Sequence, residues 1–426
     1  MYRESRYNYT IKLENKYIVY NSLSGKIAIG EIPLNSDIKD KDIQKKLIEQ
    51  KFLVSDKENE KDASLRKLYR YRYDPKLNAI LVVTKKCNFR CKYCYEEHDE
   101  EQTVIFSHFT RFLQKHLKDY TKLQISWFGG EPMLCYKEII EYSKKWRDLS
   151  HRMLKPYQAS MTTNGYLLSE DRFMALLGVG VVNYQITLDG LSETHNQQRY
   201  LAGGQGTFDV ILKNLCDIRD HIKRHFEITI RVNVSAIILE QLDQVINLLW
   251  EEFGKDSRFN FYFTLVKNWG GSCKESMKDA LLSEEQERIM FEKMLKHDHI
   301  LNYSPYYYGM FVNGMCFASQ ENSMVIEPDA KLRKCTILEG KENLYGEIDE
   351  SGKMVISKPV PFGSILFQKK NCTDCFSWAN CFGYVCPAAS ELQSTNQCSA
   401  MKRNIDILLK LLYKVDSQYH LGLLKY

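Results

Sequence analysis

The sequence predicts an α/β chain built on an incomplete parallel barrel, with a smaller sheet-and-helix unit before it and a cysteine-rich region after it. Three observations carry this expectation. Between residues 78 and about 270, six strand-like runs (LNAILVVT, LQISWF, YQASMTT, VVNYQITL, FEITIRVNV and FNFYFTLV) alternate with helical patterns. That alternation implies parallel pairing through right-handed crossovers. Six such units fall two short of a closed eight-unit barrel, so the chemistry belongs on loops at the carboxyl ends of an open one. The third observation is the clustering of thirteen cysteines: three at 87–94, seven between 316 and 398, and only Cys135, Cys216 and Cys273 apart.

The elements follow in order. In residues 1–75, YNYTIKL, KYIVYNS and GKIAIGE read as short strands, with a hairpin at Asn21–Gly25. DIKDKDIQKKLIEQKFLV gives a short helix and an apolar strand, and SDKENEKDASLRK reads as a linker. The barrel is expected over 76–270 and a bridging helical region over 271–315, including EEQERIMFEKMLKH. Residues 316–426 hold the cysteine-rich region and close on the amphipathic run MKRNIDILLKLLYKV.

Composition narrows the function. A chain of 426 residues exceeds the usual single-domain size, and 44% hydrophobic content is ample for several cores. The net charge of +5, set against 59 basic and 54 acidic residues, points to no nucleic-acid partner. No apolar run is long enough to span a membrane, and MYRESRYNYT lacks a secretory signal's apolar core, so a cytoplasmic protein is expected. Without export, clustered cysteines suggest metal binding in preference to disulfides.

The segment VTKKCNFRCKYCYEE follows the first barrel strand and places Cys87, Cys91 and Cys94 in a C-x3-C-x2-C array. Thiolates suit zinc or iron–sulfur clusters. A structural zinc site takes four protein ligands, whereas an iron–sulfur cube held by three thiolates keeps one iron open to a small molecule. With Tyr93 directly before the third cysteine, the array resembles the signature of the radical SAM superfamily. The resemblance implies a (β/α)6 TIM-like barrel, a 4Fe–4S cluster on Cys87, Cys91 and Cys94, and S-adenosylmethionine (SAM) on the open iron. It also implies reductive cleavage to a 5′-deoxyadenosyl radical that abstracts hydrogen.

Further motifs fall at successive strand ends. WFGGEPML places Gly129, Gly130 and Glu131 after the second strand, where the family binds the methionine portion of SAM. TTNGYLL offers Thr163 and Asn164 to the ribose. In ITLDGLSETHNQQR, the resemblance sets Thr187 and Arg199 against the cofactor, with Asp189 ordering the turn and His195 behind them. Arg231 and Asn233 in IRVNV complete the expected set. LAGGQGTFD follows no strand and lacks the G-K-[ST] element, so it is not a phosphate loop.

Seven cysteines at 316, 335, 372, 375, 381, 386 and 398 resemble a SPASM domain, and CTDCFSWANC supplies its C-x2-C-x5-C portion. The resemblance implies two auxiliary 4Fe–4S clusters, giving three in all. Cys372, Cys375, Cys381 and Cys398 would ligate one; Cys316, Cys335 and Cys386 would hold the other, leaving a ligand position open. Three departures stand out: Ala330 replaces a glycine, the Cys316–Cys335 interval is long, and four residues separate Cys381 from Cys386. Thiolate spacing alone does not choose iron–sulfur over zinc.

SPASM enzymes act on peptides and proteins. Among them, sulfatase-maturing enzymes carry an aspartate after the second cysteine of this region, where Thr336 stands here. Residues 1–75 instead resemble a winged-helix-like recognition domain that binds the leader of a precursor peptide by strand addition. The expected activity is therefore radical installation of a thioether or carbon–carbon crosslink in a ribosomally made peptide, with a flavodoxin- or ferredoxin-type electron donor. The alternatives are formylglycine generation, or an iron–sulfur electron carrier without radical chemistry.

Overall fold

The computed structural model describes residues 1–35, 38–96, 98, 106–269, 280–297, 315–338, 340–359, 372–383, 398, 400–419 and 423–426. Cys273 and Cys386 lie outside the described residues. The chain forms two compact units: 1–73 with 285–316 and 364–426, and 74–284 with 317–363.

The first unit opens with β1 (Tyr2–Glu4), β2 (Asn8–Leu13), β3 (Lys16–Asn21) and β4 (Lys26–Gly30). Strands β2, β3 and β4 make an antiparallel meander. The hairpin expected at Asn21–Gly25 is present, with Gly25 at φ 70° and its N–H donating to the Asn21 carbonyl at 2.8 Å. Helix α1 (Lys41–Glu49) starts under the Asp40 carboxylate, which accepts from the N–H groups of Asp42 and Ile43. Strand β5 (Leu53–Ser55) then pairs with β1.

The expected linker SDKENEKDASLRK is corrected. It is largely the start of helix α2 (Glu60–Arg72), N-capped by Asn59, with Glu60 and Asp62 in the first turn and Arg70 and Arg72 in the last. Its polarity hides the helix because only a few side chains face inward. Ala63, Leu68 and Tyr71 pack with Tyr7, Leu23, Met315, Trp378 and Phe382, partners that come mostly from far along the chain.

In the second unit, β6 (Leu77–Val82), β7 (Leu123–Phe128), β8 (Tyr157–Thr163), β9 (Val181–Thr187), β10 (Glu227–Val234) and β11 (Phe259–Leu265) pair in sequence, all parallel. The crossovers carry α3 (Phe106–His116), α4 (Tyr136–Arg152), α5 (Glu170–Gly178), α6 (Ser192–Gln198), α7 (Phe208–His221), α8 (Ala236–Glu240) and α9 (Leu242–Phe253). This is the expected partial (β/α)6 barrel. Trp127 and Trp146 stack at 5.4 Å in its fully buried aromatic core, beside Phe106 and Phe109.

The sheet extends beyond the six expected strands. Strand β12 (Ser323–Ile326) adds parallel to β6, and β13 (Lys331–Arg333), β14 (Gly346–Ile348) and β15 (Met354–Ile356) continue antiparallel. Four residues with all side chains buried give β12 no alternating pattern to read.

The rest of the first unit is α10 (Glu284–Lys296), α11 (Trp378–Cys381), α12 (Ala400–Arg403), α13 (Ile405–Tyr419) and β16 (Leu424–Lys425). Ion pairs Arg403–Glu287 at 2.7 Å and Arg288–Asp406 at 2.9 Å join α10 to the C-terminal helices. Arg6 pairs with Asp374 at 2.7 Å, and Asn380 donates to the Tyr20 phenol at 2.9 Å. The N-terminal meander and the CTDCFSWANC turn thus belong to one packed body. Strand β16 runs parallel to β4, giving the sheet order β16-β4-β3-β2.

Candidate active site

The cysteine loop after β6 is laid down by backbone hydrogen bonds on two sides. On one side, the N–H groups of Gly130 and Glu131 donate to the carbonyls of Thr84 and Lys86, each at 2.9 Å. On the other, Arg90 N donates to Tyr200 O at 2.9 Å, Lys92 N to Gln198 O at 3.0 Å, and Ala202 N to Asn88 O at 2.8 Å. The loop is held between the GGEP turn and the segment 198–202.

This geometry explains the paired glycines. A Cβ on Gly129, which sits at φ 127°, would stand 2.3 Å from the Thr84 carbonyl oxygen; one on Gly130 would stand 2.5 Å from that of Lys86. The sequence suggested close approach by a ligand. In the structure, the approaching group is the cysteine loop's own backbone. LAGGQG has a related role, since Leu201 bridges to Phe89.

Glu131 is fully buried. Its Oε1 accepts from Thr163 Oγ1 at 2.6 Å and Met133 N at 2.9 Å, and its Oε2 accepts from Asn164 N at 2.7 Å. Burial pushes its pKa up while these three donors pull it down. The recorded bonds make it a strut between the ends of β7 and β8. Asn164 in turn donates to Asn88 Oδ1 at 2.8 Å, and Asn88 adjoins the first cysteine.

Tyr93, Asp189, Arg199 and Asn233 form the second cluster. The Tyr93 phenol donates to Asp189 Oδ2 and accepts from Arg199 Nη1 at 2.8 Å and Asn233 Nδ2 at 3.3 Å. Asp189, fully buried, also accepts from the Asn233 backbone N–H at 2.6 Å and faces Arg199 at 3.9 Å. Burial raises the Asp189 pKa, and Arg199 is the main opposing influence. Arg231 donates to Asn233 Oδ1 at 2.8 Å, and Thr187 lies opposite Arg231 in the β9–β10 register. The expected residues from three strand ends are thereby brought together.

His195 lies behind this cluster and is fully buried. Its Nδ1 accepts from the Asp189 N–H at 3.0 Å, so the ring proton belongs on Nε2, which meets Thr207 Oγ1 at 3.1 Å. The Thr207 hydroxyl donates in turn to the Arg199 carbonyl at 2.7 Å. Burial, with Arg199 nearby, pushes the imidazole pKa down to about 2. It is a neutral brace joining the LDG turn to Arg199.

The residues fit a three-thiolate cluster with SAM. Cys87, Cys91 and Cys94 form no disulfide and are partly buried, and the Phe89 N–H donates to Cys87 Sγ at 3.4 Å. Burial pushes the Cys87 thiol up to about 12 and raises Cys94 as well. Thiols this desolvated need a cation to become thiolates, which a metal cluster supplies. Among the described residues, no three His, Cys, Asp or Glu side chains converge as ligands of a single ion. A four-iron cube takes one thiolate per iron and does not require such convergence. The Arg199 Nε is buried with no hydrogen-bond partner, leaving a donor for a carboxylate.

Sequence reasoning missed Asn88, whose only signal was a polar residue directly beside Cys87. In the cysteine-rich region, Cys372 and Cys375 share one turn, with Cys375 N donating to Cys372 O at 3.1 Å, and Cys381 closes α11. Lys402 donates to Cys398 Sγ at 3.6 Å and is also bonded to Cys375. Cys316 belongs to the first unit and Cys335, buried, to the second. Ala330, in the glycine position of the motif, has φ 63°, the backbone conformation that a glycine would favour.

Among the described residues, no helix is long and apolar enough to cross a membrane. The profile of the Radical SAM superfamily matches residues 81–247. Fe-coproporphyrin III synthase of Methanosarcina barkeri is 25% identical over 235 residues, 53% of this chain and 55% of that protein. GTP 3′,8-cyclase of Campylobacter jejuni is 27% identical over 45% of this chain and 57% of its own. Radical SAM cyclopropyl synthase TigE of Paramaledivibacter caminithermalis is 26% identical over 42% and 41%. The chain thus spans about half the length of the curated relatives it matches.

Two solved structures share the fold over most of this chain. anSMEcpe with bound AdoMet has TM-score 0.61 and 17% identity, covering 81% of this chain and 98% of that one. Streptococcus suis SuiB bound to its precursor peptide SuiA has TM-score 0.55 and 15% identity, covering 94% and 99%. With the three-cysteine loop, the strand-end motifs and the barrel in agreement, residues 81–247 carry a Radical SAM superfamily domain.

Proposed function

We propose that the chain is a radical SAM peptide maturase, acting on a ribosomally made precursor and forming a thioether or carbon–carbon crosslink. The observation that carries this reading is the coexistence of two features: a cysteine loop clamped beside the Tyr93–Asp189–Arg199 cluster, and an N-terminal meander packed on a CTDCFSWANC turn. Two solved structures of the same fold are described with bound peptides, the Kp18Cys peptide on anSMEcpe and SuiA on SuiB.

Cys87, Cys91 and Cys94 would hold a 4Fe–4S cluster and Arg199 would take the SAM carboxylate, the orphaned Nε being its free donor. When bound, cluster and SAM supply a carbon radical able to abstract hydrogen from an unactivated carbon. The chain's own part is positioning. Gly129 and Gly130 admit the loop, Tyr93 ties it to the LDG turn, and His195 fixes Arg199. Cys372, Cys375, Cys381 and Cys398 would hold one auxiliary cluster, and Cys316, Cys335 and Cys386 another. A flavodoxin- or ferredoxin-type protein would deliver the electron.

Thr336 after Cys335 supplies no carboxylate base, which disfavours formylglycine generation. The test is anaerobic incubation of the reconstituted protein with SAM, dithionite and the small peptide encoded beside its gene. A peptide mass lowered by two hydrogens, with 5′-deoxyadenosine, is expected. 5′-Deoxyadenosine with a peptide that stays unmodified would count against the maturase reading.

A further inference from the structure

The edge of β4 in the N-terminal sheet is filled by the chain itself. Leu424 and Lys425 pair parallel with Ala28 and Ile29, and the Tyr426 N–H donates to the Ile29 carbonyl at 2.9 Å. Leu424 and Tyr426 pack into an apolar groove formed by Val19, Ala28, Leu34, Leu47, Phe52 and Leu53. This is strand addition to a sheet edge, with backbone bonds for affinity and pockets for alternate side chains.

The resident strand fits the edge incompletely. Strand β4 runs over Lys26–Gly30, yet β16 pairs with two of those residues. The Tyr426 phenol oxygen is buried with no hydrogen-bond partner. A peptide that paired along more of β4, with a side chain better suited to the tyrosine position, would hold the edge more firmly.

We infer that the β4 edge is an exchangeable strand site and that Leu424–Tyr426 is its resident occupant, which an incoming extended peptide displaces. The occupant is then an autoinhibitory contact that raises the concentration of peptide needed for engagement. Only the identity of the incoming strand, a precursor leader, rests on the peptide-maturase reading.

A fluorescein-labelled HLGLLKY peptide, matching residues 420–426, is titrated into the full chain and into a chain ending at Tyr419. The shortened chain is expected to bind it at least tenfold more tightly. Equal affinity, or no binding to a shortened chain with unchanged circular dichroism, overturns the inference. Gly30→Val in the full chain keeps the inference falsifiable if truncation disturbs folding. A Cβ there meets the Tyr426 ring at 2.4 Å, and the branched side chain is expected to crowd the occupant off the edge. The Tyr426 amide should lose hydrogen-exchange protection by tenfold or more while the β3–β4 amides keep theirs. Loss of protection throughout the meander would show a fixed structural strand and overturn the inference.

The peptide encoded beside the gene separates the two readings. Binding at least tenfold tighter to the shortened chain supports both. Equal binding to the two chains supports leader recognition and overturns displacement. Binding to neither, while the shortened chain holds HLGLLKY, overturns leader recognition and leaves the exchangeable edge supported.

Discussion

Arg199 donates to the phenol oxygen of Tyr93 at 2.8 Å, joining two residues that stand 106 positions apart in the chain. Tyr93 lies between Cys91 and Cys94, and Arg199 closes the helix after the LDG turn. The bond therefore couples the placement of the proposed cluster to that of the group proposed to receive the SAM carboxylate.

Tyr93→Phe tests this coupling. The change removes the donor to Asp189 and the acceptor for Arg199 and Asn233 in a buried site, at a cost of about 1–3 kcal/mol. SAM affinity of the reconstituted protein should fall by about 5- to 150-fold, with iron content retained. Unchanged affinity in an equilibrium titration would remove Tyr93 from the account.

Gly130→Ala tests the clamp. Its new Cβ meets the carbonyls of Lys85 and Lys86 at 2.7 and 2.5 Å, and backbone cannot give way as a flexible side chain would. Iron and acid-labile sulfide per chain should decrease, whereas Gly178→Ala, whose Cβ meets nothing within 4 Å, should leave both unchanged.

His195 predicts an acid-side loss of stability. In the fold it stays neutral, its pKa pushed down to about 2, whereas in the unfolded chain it titrates near 6.5. The unfolded state therefore binds more protons below about pH 6.5, and stability falls there by about 1.4 kcal/mol per pH unit. Above that pH the group contributes no slope. In denaturant unfolding between pH 7.5 and 5.5, the loss of stability should be smaller in His195→Asn by about 1.4 kcal/mol, an average of about half a proton over the window. An unchanged slope would contradict the neutral brace.

Ala330→Gly should stabilise the protein. Ala330 sits at φ 63° in the turn between β12 and β13, where its N–H donates to the Glu327 carbonyl at 2.9 Å. Relief of left-handed strain, partly offset by the flexibility of glycine in the unfolded chain, leaves a gain of about 0.5–1 kcal/mol. A lower midpoint in chemical denaturation would refute it.

Much of the barrel was legible in the sequence because β6 to β11 are apolar runs separated by helical periodicity. The strand-end motifs fall together for the same topological reason. What hid from sequence was long-range. The polar run around Glu60 becomes helical through packing contributed by Trp378 and Phe382. The clamp on the cysteine loop depends on carbonyls of Gln198 and Tyr200, and backbone groups leave no trace in side-chain pattern. Strands β12 and β16, four and two residues long, are too short to show a period.

The most direct measurement is the electron paramagnetic resonance spectrum of the reduced, oxygen-free protein with and without SAM. Because the auxiliary sites would contribute signals of their own, it is read in a variant with Cys316, Cys335, Cys372, Cys375 and Cys381 changed to alanine and compared with Cys87→Ala in the same background. The account predicts a cluster signal that shifts when SAM is added and is absent without Cys87. A signal indifferent to SAM, in protein loaded with iron and sulfide, would contradict it.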